Sequence, residues 1–599
     1  MIQNEYKAYD VVVVGGGMAG ICAAIASARE GVKTALLQDR PVLGGNASSE
    51  IRMHICGANM HGTRENARET GIIEEIQLEN RKRNPYHSFS ILDTILWEKV
   101  NFQENLDLYL NTRMMNVKTD LITDYVQITC IEAYQLTTEK QFVFKAQVYM
   151  DCTGDGSLAY QAGADYRVGR ESRDEFKERF APEKADAYTM GNTIMFKALD
   201  KGEPVIFEKP DWAYTFTEED LKYRGHSATN GKMEHYGVDS GYWWIELGGT
   251  NDTISDAEEI RDELLKTVYG IWDHIKNGGE HGAENYTLDW VQHLPGKRES
   301  RRTEGDYILK EQDVSAGRVF EDAVAYGGWP MDMHPPEGFR YKGESTNFIE
   351  VPLYTIPYRC FYSRNISNLM MAGRNISCSH MAFGSTRLMG TCAVGGQAAG
   401  TAAAMAVIYD CLPKEVGEHI KELQQKLLKA DCYIPGYKNE DKEDKALGAR
   451  VTASSESEKG KAVHVINGIA RTVEDSTNCW ISEPISEKGE WIELELENKQ
   501  EIKEVHLKFD SALSTEISTT LSDVVRNNQV QGLPKSLVKE YELVILSEQE
   551  CIHRENVKNN HLRHKIHRIP AEKYGDKIRI KVMNTHEVSE ARIFEIRIY

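Results

Sequence analysis

Three features of the sequence predict its fold class. Four valines lead through three glycines into a small-residue helix near the N-terminus. Strand and small-residue helix signals return after residue 368, and a two-residue hydrophobic period runs from residue 449 to the end. The predicted class is an α/β nucleotide-binding, Rossmann-like domain with an inserted α+β substrate domain, followed by a C-terminal all-β sandwich. The expected boundaries are 1–165 for the first part of the nucleotide domain, 166–350 for the inserted domain and 351–435 for the second part with a helix. A linker over 436–448 and the sandwich over 449–599 complete the chain.

The stretch DVVVVGGGMAGICAAIASARE, Asp10 to Glu30, is apolar or small from Val11 to Ala28, about the minimum length for a bilayer span. Its valines favour a strand, and Gly15 to Gly17 would weaken a spanning helix in its middle. After Gly20 the small helix formers Ala23, Ala24, Ala26 and Ala28 take over. The reading is strand, tight turn, helix, with no membrane span.

With 599 residues the chain is too long for one core. Its 41% hydrophobic and 27% charged residues are ordinary for a globular protein. A formal net charge of -21 argues against nucleic acid as a partner, because phosphates call for a basic surface. The 11 cysteines contain no C-x-x-C pair and read as reduced, mostly buried thiols. MIQNEYKAYD lacks a basic n-region and a cleavable apolar core, so a cytoplasmic location is expected.

From Tyr166 to Glu350 the pattern is irregular and rich in Trp, Tyr and charge, as suits a substrate-facing insertion. NLMMAG then reads as a strand, GTCAVGGQAAGTAAAMAVI as a close-packing helix and PKEVGEHIKELQQKLLKA as an amphipathic one. The charged run KNEDKEDK, Lys438 to Lys445, reads as a linker. Beyond it Ile492, Leu494 and Leu496 alternate with Glu493 and Glu495. Val505, Leu507 and Phe509 alternate with His506, Lys508 and Asp510. Half-buried strands at this spacing make a sandwich.

Gly15-x-Gly17-x-x-Gly20 stands between a strand and a helix, the setting in which this pattern binds a dinucleotide. The first glycine permits the turn, the second lets the backbone approach a pyrophosphate and the third allows close helix–strand packing. The phosphates would meet the N–H groups of the helix start at Met18 and Ala19. The next strand, KTALLQD, should end in a ribose-binding carboxylate but places Gln38 there. Gln38, Asp39 and the adjoining Arg40 are the candidate contacts at that strand end.

RPVLGGNAS resembles the second glycine loop of flavoproteins related to the succinate dehydrogenase and fumarate reductase flavoprotein subunits. The resemblance implies that Gly44, Gly45 and Asn46 wrap the pyrophosphate and flavin of FAD. YMDCTGDGSLAYQAGA resembles the TGDG segment of that superfamily, which places Thr153, Gly154 and Asp155 beside FAD. NLMMAGRNISCSHMAFGSTRLMGTCAVGGQAAG resembles its late flavin motif. There a strand presents Gly373 and Arg374, and a helix N-terminus faces the flavin pyrimidine, where it would stabilise negative charge on a reduced flavin. With GGNASSEIRMHICGA, LPGKRESRRTEGDYIL and AYGGWPMDMH, the sequence resembles more closely the FAD-dependent oxidoreductase family found widely in bacteria, over roughly residues 8 to 410.

EIRMHICGA puts Arg52, His54 and Cys56 at alternate positions, on one side if the segment is extended. Oxidising a carbinol needs a hydride acceptor and a base for the hydroxyl proton, and His is the usual base. His54 reads either as that base or as a hydrogen-bonded structural histidine, and Cys56 as a redox thiol or an inert buried one. Lys297, Arg298, Arg301 and Arg302 in GKRESRR read as a clamp for a carboxylate or hydroxyl, or as structural ion pairs. GGWPMDMHPP offers Trp329 as a sugar platform, with Asp332 and His334 as a base pair of groups; the other reading is a satisfied loop network. His380 and Arg387 lie in the late flavin motif, His380 toward the flavin edge and Arg387 on FAD or a bound anion. His54, Cys56, His334 and His380 match no zinc spacing, and no metal is expected.

The segment from Ala449 to Tyr599 resembles discoidin-type, or coagulation-factor type C, jelly-roll domains, which often bind carbohydrate. The sequence therefore predicts an FAD-dependent oxidoreductase that oxidises a carbohydrate or polyhydroxy substrate by hydride transfer to the flavin. Two alternatives stand beside it: a flavin-dependent reductase of an activated double bond in a carboxylate substrate, and a flavin-holding glycan-binding scaffold without turnover. The expected partners are a small-molecule substrate and an unidentified electron acceptor or donor. No second Gly-x-Gly-x-x-Gly follows a strand, which argues against direct use of NAD(P)H. The sequence assigns no oligomeric state.

Overall fold

The computed structural model describes residues 4–122, 125–226, 238–240, 242–279 and 281–599, without the side chains of Val524 and Asn528. The chain divides into two compact units. The first is Met1–Gly57, Tyr86–Ile420 and Ser518–Gln529; the second is Ala58–Pro85, Lys421–Ile517 and Val530–Tyr599.

The first unit is built on a parallel sheet of β1 (Val11–Val14), β2 (Thr34–Leu37), β3 (Leu106–Tyr109), β4 (Val148–Asp151) and β5 (Leu369–Met371), in the order β5-β4-β1-β2-β3. β1, β2 and β4 are buried at every residue, which is why the valine run shows no alternation. The turn after β1 leads into α1 (Met18–Arg29), as the sequence predicts. Later in the chain come α2 (His380–Thr386) and α3 (Met389–Ile408). α3 has the length and composition of a membrane span, yet 89% of its apolar window is buried inside the protein. Its small residues serve a helix crossing: a Cβ on Gly396 would stand 2.1 Å from the Ala19 carbonyl oxygen, and one on Gly400 2.1 Å from that of Ala23. Ser27 Oγ donates to the Gly400 carbonyl at 2.8 Å across the same contact.

A second sheet joins Asn4–Ala8, Lys140–Lys145, Tyr125–Gln135 and Thr112–Ile122 in that order. Val12, Val14, Phe142, Phe144 and Tyr149 share one core with it. Residues 166–350 cluster with this body in the same unit. They hold their own core, in which the helix Ala257–Asn277 packs Leu264, Ile271 and Trp272 against Phe196 and Tyr242. Fully burying one such apolar side chain contributes about 1.5–3 kcal/mol.

The second unit carries two antiparallel sheets. One runs Arg450–Ala453, Glu490–Glu501, Tyr574–Thr585, Val538–Ser547, Glu550–Val557; the other Trp480–Pro484, Glu590–Ile598, Glu504–Phe509, His564–Arg568. Ile492, Leu494, Val505, Leu507 and Phe509 meet in the core between them, a β-sandwich. The period-two reading is thus met on the inner face. The structure departs from the sequence pattern at two places. His506 and Lys508 are buried as well, because Lys508 Nζ ion-pairs with Glu595 at 2.6 Å and donates to the Leu428 carbonyl at 2.6 Å. The stretch 436–448 is folded into the unit and is no free linker: Asp444 caps the short helix Lys445–Gly448 and accepts from Ile598 N at 2.9 Å, and Ala446 joins the sandwich core.

Nine of the eleven cysteines are buried, in keeping with the reading of buried thiols.

Candidate active site

The glycine turn between β1 and α1 forms the floor of a cradle. Gly15 has φ +104°, and a Cβ there would lie 2.3 Å from the Cys152 carbonyl oxygen. A Cβ on Gly20 would lie 1.8 Å from the Gly15 oxygen, so α1 crosses the strand end at backbone contact. Above Gly17 the space is open: a Cβ would meet nothing within 4 Å. Gly17 caps α1 without a side-chain acceptor, and the first-turn N–H groups of Met18 and Ala19 have no acceptor within the helix.

The second loop closes on the first. Gly44 N donates to the Gly16 carbonyl at 2.8 Å, Gly17 and Gly44 form a parallel bridge, and a Cβ on Gly45 would reach Gly17 Cα at 3.2 Å. Two side-chain-free loops around an open helix start fit a pyrophosphate approached on several sides by backbone N–H groups.

Gln38 explains its place in the sequence. Its Oε1 accepts from Gly16 N at 2.8 Å and its Nε2 donates to Val42 O at 3.2 Å, so it ties the end of β2 to the glycine turn. Asp39 is exposed beside it, and Arg40 is held by Glu50 through bonds of 2.6 and 3.0 Å.

The ends of β4 and β5 are joined through charge. Thr153 Oγ1 donates to Asp151 at 2.7 Å. Asp155 accepts from Lys297 Nζ at 2.7 Å and Ser300 Oγ at 2.8 Å, and Arg374, next to Gly373, lies 3.4 Å away. Burial pushes the Asp155 carboxyl up, but Lys297 and Arg374 outweigh it and hold the group below the usual range. Gly154 leaves room for the Arg374 guanidinium, which a Cβ would meet at 2.7 Å. Arg374 in turn donates to the Arg298 carbonyl at 3.0 Å, and Asn46 Nδ2 to the Lys297 carbonyl at 3.1 Å.

A cleft opens at this junction. Its lining includes Asn46, His54, Cys56, Lys297, Arg298, Arg374 and Arg387, with Ile51, Met53, Met195, Leu388 and Met389 as apolar walls. Leu388 and Met389 are the N-cap and first residue of α3, so a helix N-terminus reaches the cleft, as the late motif implies. His54 and Cys56 are both buried side chains of this wall.

Arg52 departs from the expectation. The three alternate residues do not share a side: Arg52 has φ +63°, its N–H donates to Ser48 O at 2.7 Å, and its guanidinium stacks over Trp290 at 4.2 Å. The turn at 48–52 breaks the extended geometry on which the alternation rested.

Arg298 and Arg387 belong to a buried chain of charges. Arg298 lies 3.3 Å from Glu246, and Glu246 lies 2.8 Å from His334 Nδ1. His334 Nε2 lies 3.2 Å from Asp332, which accepts from Arg387 at 2.7 Å and also from Thr346. Burial works against the charges of Asp332, Glu246 and His334, and their pairing overcomes it in each. Asp332 is held well below the usual carboxylate range by His334, Arg387 and Thr346. Glu246 is held low by Arg298 and His334, and Glu246 and Asp332 raise His334 above an ordinary imidazole. With a carboxylate at each ring nitrogen, His334 keeps its proton and braces Asp332. Burial dominates at Arg298 and lowers its pKa.

Arg302 and His380 stand in a second buried cluster and are not among the lining residues. Arg302 pairs with Glu171 at 2.8 Å and with Glu299, and His380 Nδ1 lies 2.9 Å from Glu299. His380 N also donates to Glu171 at 2.8 Å. Trp329 is buried against Phe348, with ring centroids 6.4 Å apart, and offers no open face to the cleft. Glu246, Glu171 and Glu299, which organise these arginines, carry no sequence signal beyond being single acidic residues. Glu299 alone falls inside a motif, GKRESRR.

No curated protein matches the sequence. Among solved structures the chain is similar to the lectin domain of lectinolysin complexed with Lewis b antigen, at 13% identity and TM-score 0.20, over 26% of this chain and 97% of that one. A fucose-binding module of Streptococcus pneumoniae gives 13% identity and TM-score 0.20, over 26% and 94%. The family 32 carbohydrate-binding module of C. perfringens NanJ in complex with galactose gives 12% and 0.19, over 26% and 96%. The family model described as FAD dependent oxidoreductase matches residues 10–427, which takes in both glycine loops, the Asp155–Arg374 junction and the whole cleft lining. The chain belongs to the FAD-dependent oxidoreductase family.

Proposed function

We propose that this FAD-dependent enzyme oxidises a carbohydrate or other polyhydroxy substrate in the cleft between the glycine loops and the N-terminus of α3. The observation that carries the reading is that His54, alone among the histidines weighed as bases, lines the cleft. FAD supplies the hydride acceptor. His54 takes the hydroxyl proton, and the guanidinium groups of Arg298 and Arg387 hold hydroxyl or carboxylate oxygens of the substrate. Ile51, Met53 and Leu388 keep water from the reacting carbon.

The four cations of the lining, Lys297, Arg298, Arg374 and Arg387, favour a second reading. In it the arginines clamp a carboxylate whose activated double bond is reduced. An anaerobic absorbance titration of the yellow protein separates the two. Bleaching of the flavin band by sugars, glycosides or uronic acids supports oxidation. No bleaching, with reoxidation of the chemically reduced enzyme by unsaturated acids, supports the reductase.

A further inference from the structure

Away from the cleft lining, three buried histidines and one carboxylate of the first unit converge on a single point. Glu218, His226, His274 and His281 each direct one ligand atom into a group whose members all lie within 4.8 Å of one another. Glu218 Oε1 stands 3.2 Å from Nε2 of both His274 and His281, and Oε2 stands 3.2 Å from His226 Nε2. The three rings pack with centroids 4.8 to 5.1 Å apart. Each imidazole is buried, while Glu218 closes the group from the solvent side with its side chain 64% exposed.

The hydrogen bonds fix which nitrogens carry protons. His226 Nδ1 lies 2.6 Å from the Arg224 carbonyl and His274 Nδ1 3.1 Å from the Phe216 carbonyl. A carbonyl only accepts, so both Nδ1 atoms carry hydrogen, and in the neutral rings both Nε2 atoms present lone pairs. His281 Nε2 is buried and makes no hydrogen bond among the described residues. In the neutral rings the lone pairs of His226 and His274, the unsatisfied Nε2 of His281 and a carboxylate oxygen therefore face one another. Protonating one ring balances Glu218 and leaves two lone pairs unmet; protonating all three leaves excess positive charge in a buried place. A divalent cation satisfies all four at once. Ligands at about 2.0–2.1 Å around a tetrahedral ion stand about 3.4 Å apart, close to the 3.2 Å contacts already made by Glu218. Backbone carbonyls on the far ring nitrogens are the outer partners that orient metal-bound histidines.

We propose that Glu218, His226, His274 and His281 bind a divalent late first-row transition ion, with zinc the ion that the three-nitrogen, one-oxygen tetrahedron fits. With all four positions taken by protein the site is structural. It fastens the 216–226 segment to the C-terminal end of the helix Ala257–Asn277 and to His281 beyond it. No zinc spacing marks it in the sequence, because the ligands come from three separated segments.

The test is elemental analysis of untagged, full-length, FAD-loaded protein, followed by a zinc titration of the chelator-treated protein against a chromophoric chelator. Expected are about one zinc per chain and at least a tenfold weaker affinity in His274→Ala and in His281→Gln. FAD content and flavin spectrum should be unchanged in both, which shows that they fold. Chelation should lower the melting temperature of the wild type and leave that of the variants unmoved. Folded, yellow wild type that takes up no zinc at 100-fold excess over protein overturns the proposal, as does equal zinc uptake by wild type and both variants.

Discussion

Arg298 and Arg387 line the same cleft and are joined by an unbroken run of buried charged groups, Glu246, His334 and Asp332. The two guanidinium groups are therefore placed by one network, and a change at its middle is felt at both ends. Glu246→Gln removes the carboxylate paired with Arg298 and one of the two that hold His334. Breaking a buried pair on one side costs about 3–5 kcal/mol. A fall in the temperature of flavin release by several degrees is expected; an unchanged value would mean that the chain of charges carries no stability.

His334 makes that network sensitive to pH. Burial lowers its pKa, but Glu246 and Asp332 raise it further, so the folded value exceeds the ordinary one near 6.5. A raised folded value gives stability that is full below about pH 6.5 and is lost as the pH climbs through the raised value. The flavin-release temperature of the wild type should decline over that window. In His334→Gln, which has no proton to lose there, the decline should be absent, and parallel curves for the two proteins would refute the assignment.

Glu69, in the second unit, shows the same sign from a different cause. Burial pushes its carboxyl up to about 7, against the hydrogen bond it accepts from Ala58 N at 2.7 Å. Stability is full below pH 4.5, where the unfolded group is also protonated, and is lost by the time the pH passes 7. Glu69→Gln keeps the acceptor oxygen and removes the charge. It should match the wild type at pH 4.5 and exceed it at pH 8 by up to about 3 kcal/mol in denaturant unfolding. Equal stability at pH 8 would show that the folded carboxyl is not strained by its burial.

The crossing of α1 and α3 leaves no room for a methyl group. Gly396→Ala would put a Cβ 2.1 Å from the Ala19 carbonyl oxygen, within the first turn of the helix that starts at the nucleotide cradle. A loss of about 1–3 kcal/mol is expected, with reduced FAD occupancy in the purified protein. Full occupancy at an unchanged melting temperature would show that the helices can separate at no cost.

Backbone-driven features were legible in the sequence and side-chain networks were not. The Val11–Val14 strand, the turn at Gly15 and the inner face of the sandwich follow from local rules that tertiary packing did not override. Arg52 leaves the expected side because a left-handed residue shows no trace in an alternating pattern. The sequence leaves Trp329 as either a sugar platform or part of a satisfied loop, and its burial to 8% exposure, with the Phe348 ring nineteen positions on beside it, shows only in the folded chain. Glu246, which holds Arg298 and His334, lies 52 and 88 positions from them, a distance over which only the folded chain shows a pair.

The proposed oxidation turns on His54 taking a proton in this cleft. Anaerobic stopped-flow measurement of flavin bleaching in wild type and His54→Asn, with a substrate found by the absorbance titration, tests it most directly. The variant should keep its FAD and bleach about 10²- to 10⁴-fold more slowly, with the loss shrinking as the pH rises and the substrate hydroxyl ionises more readily. Bleaching at the wild-type rate by an FAD-loaded His54→Asn enzyme would mean that His54 takes no proton in the reaction.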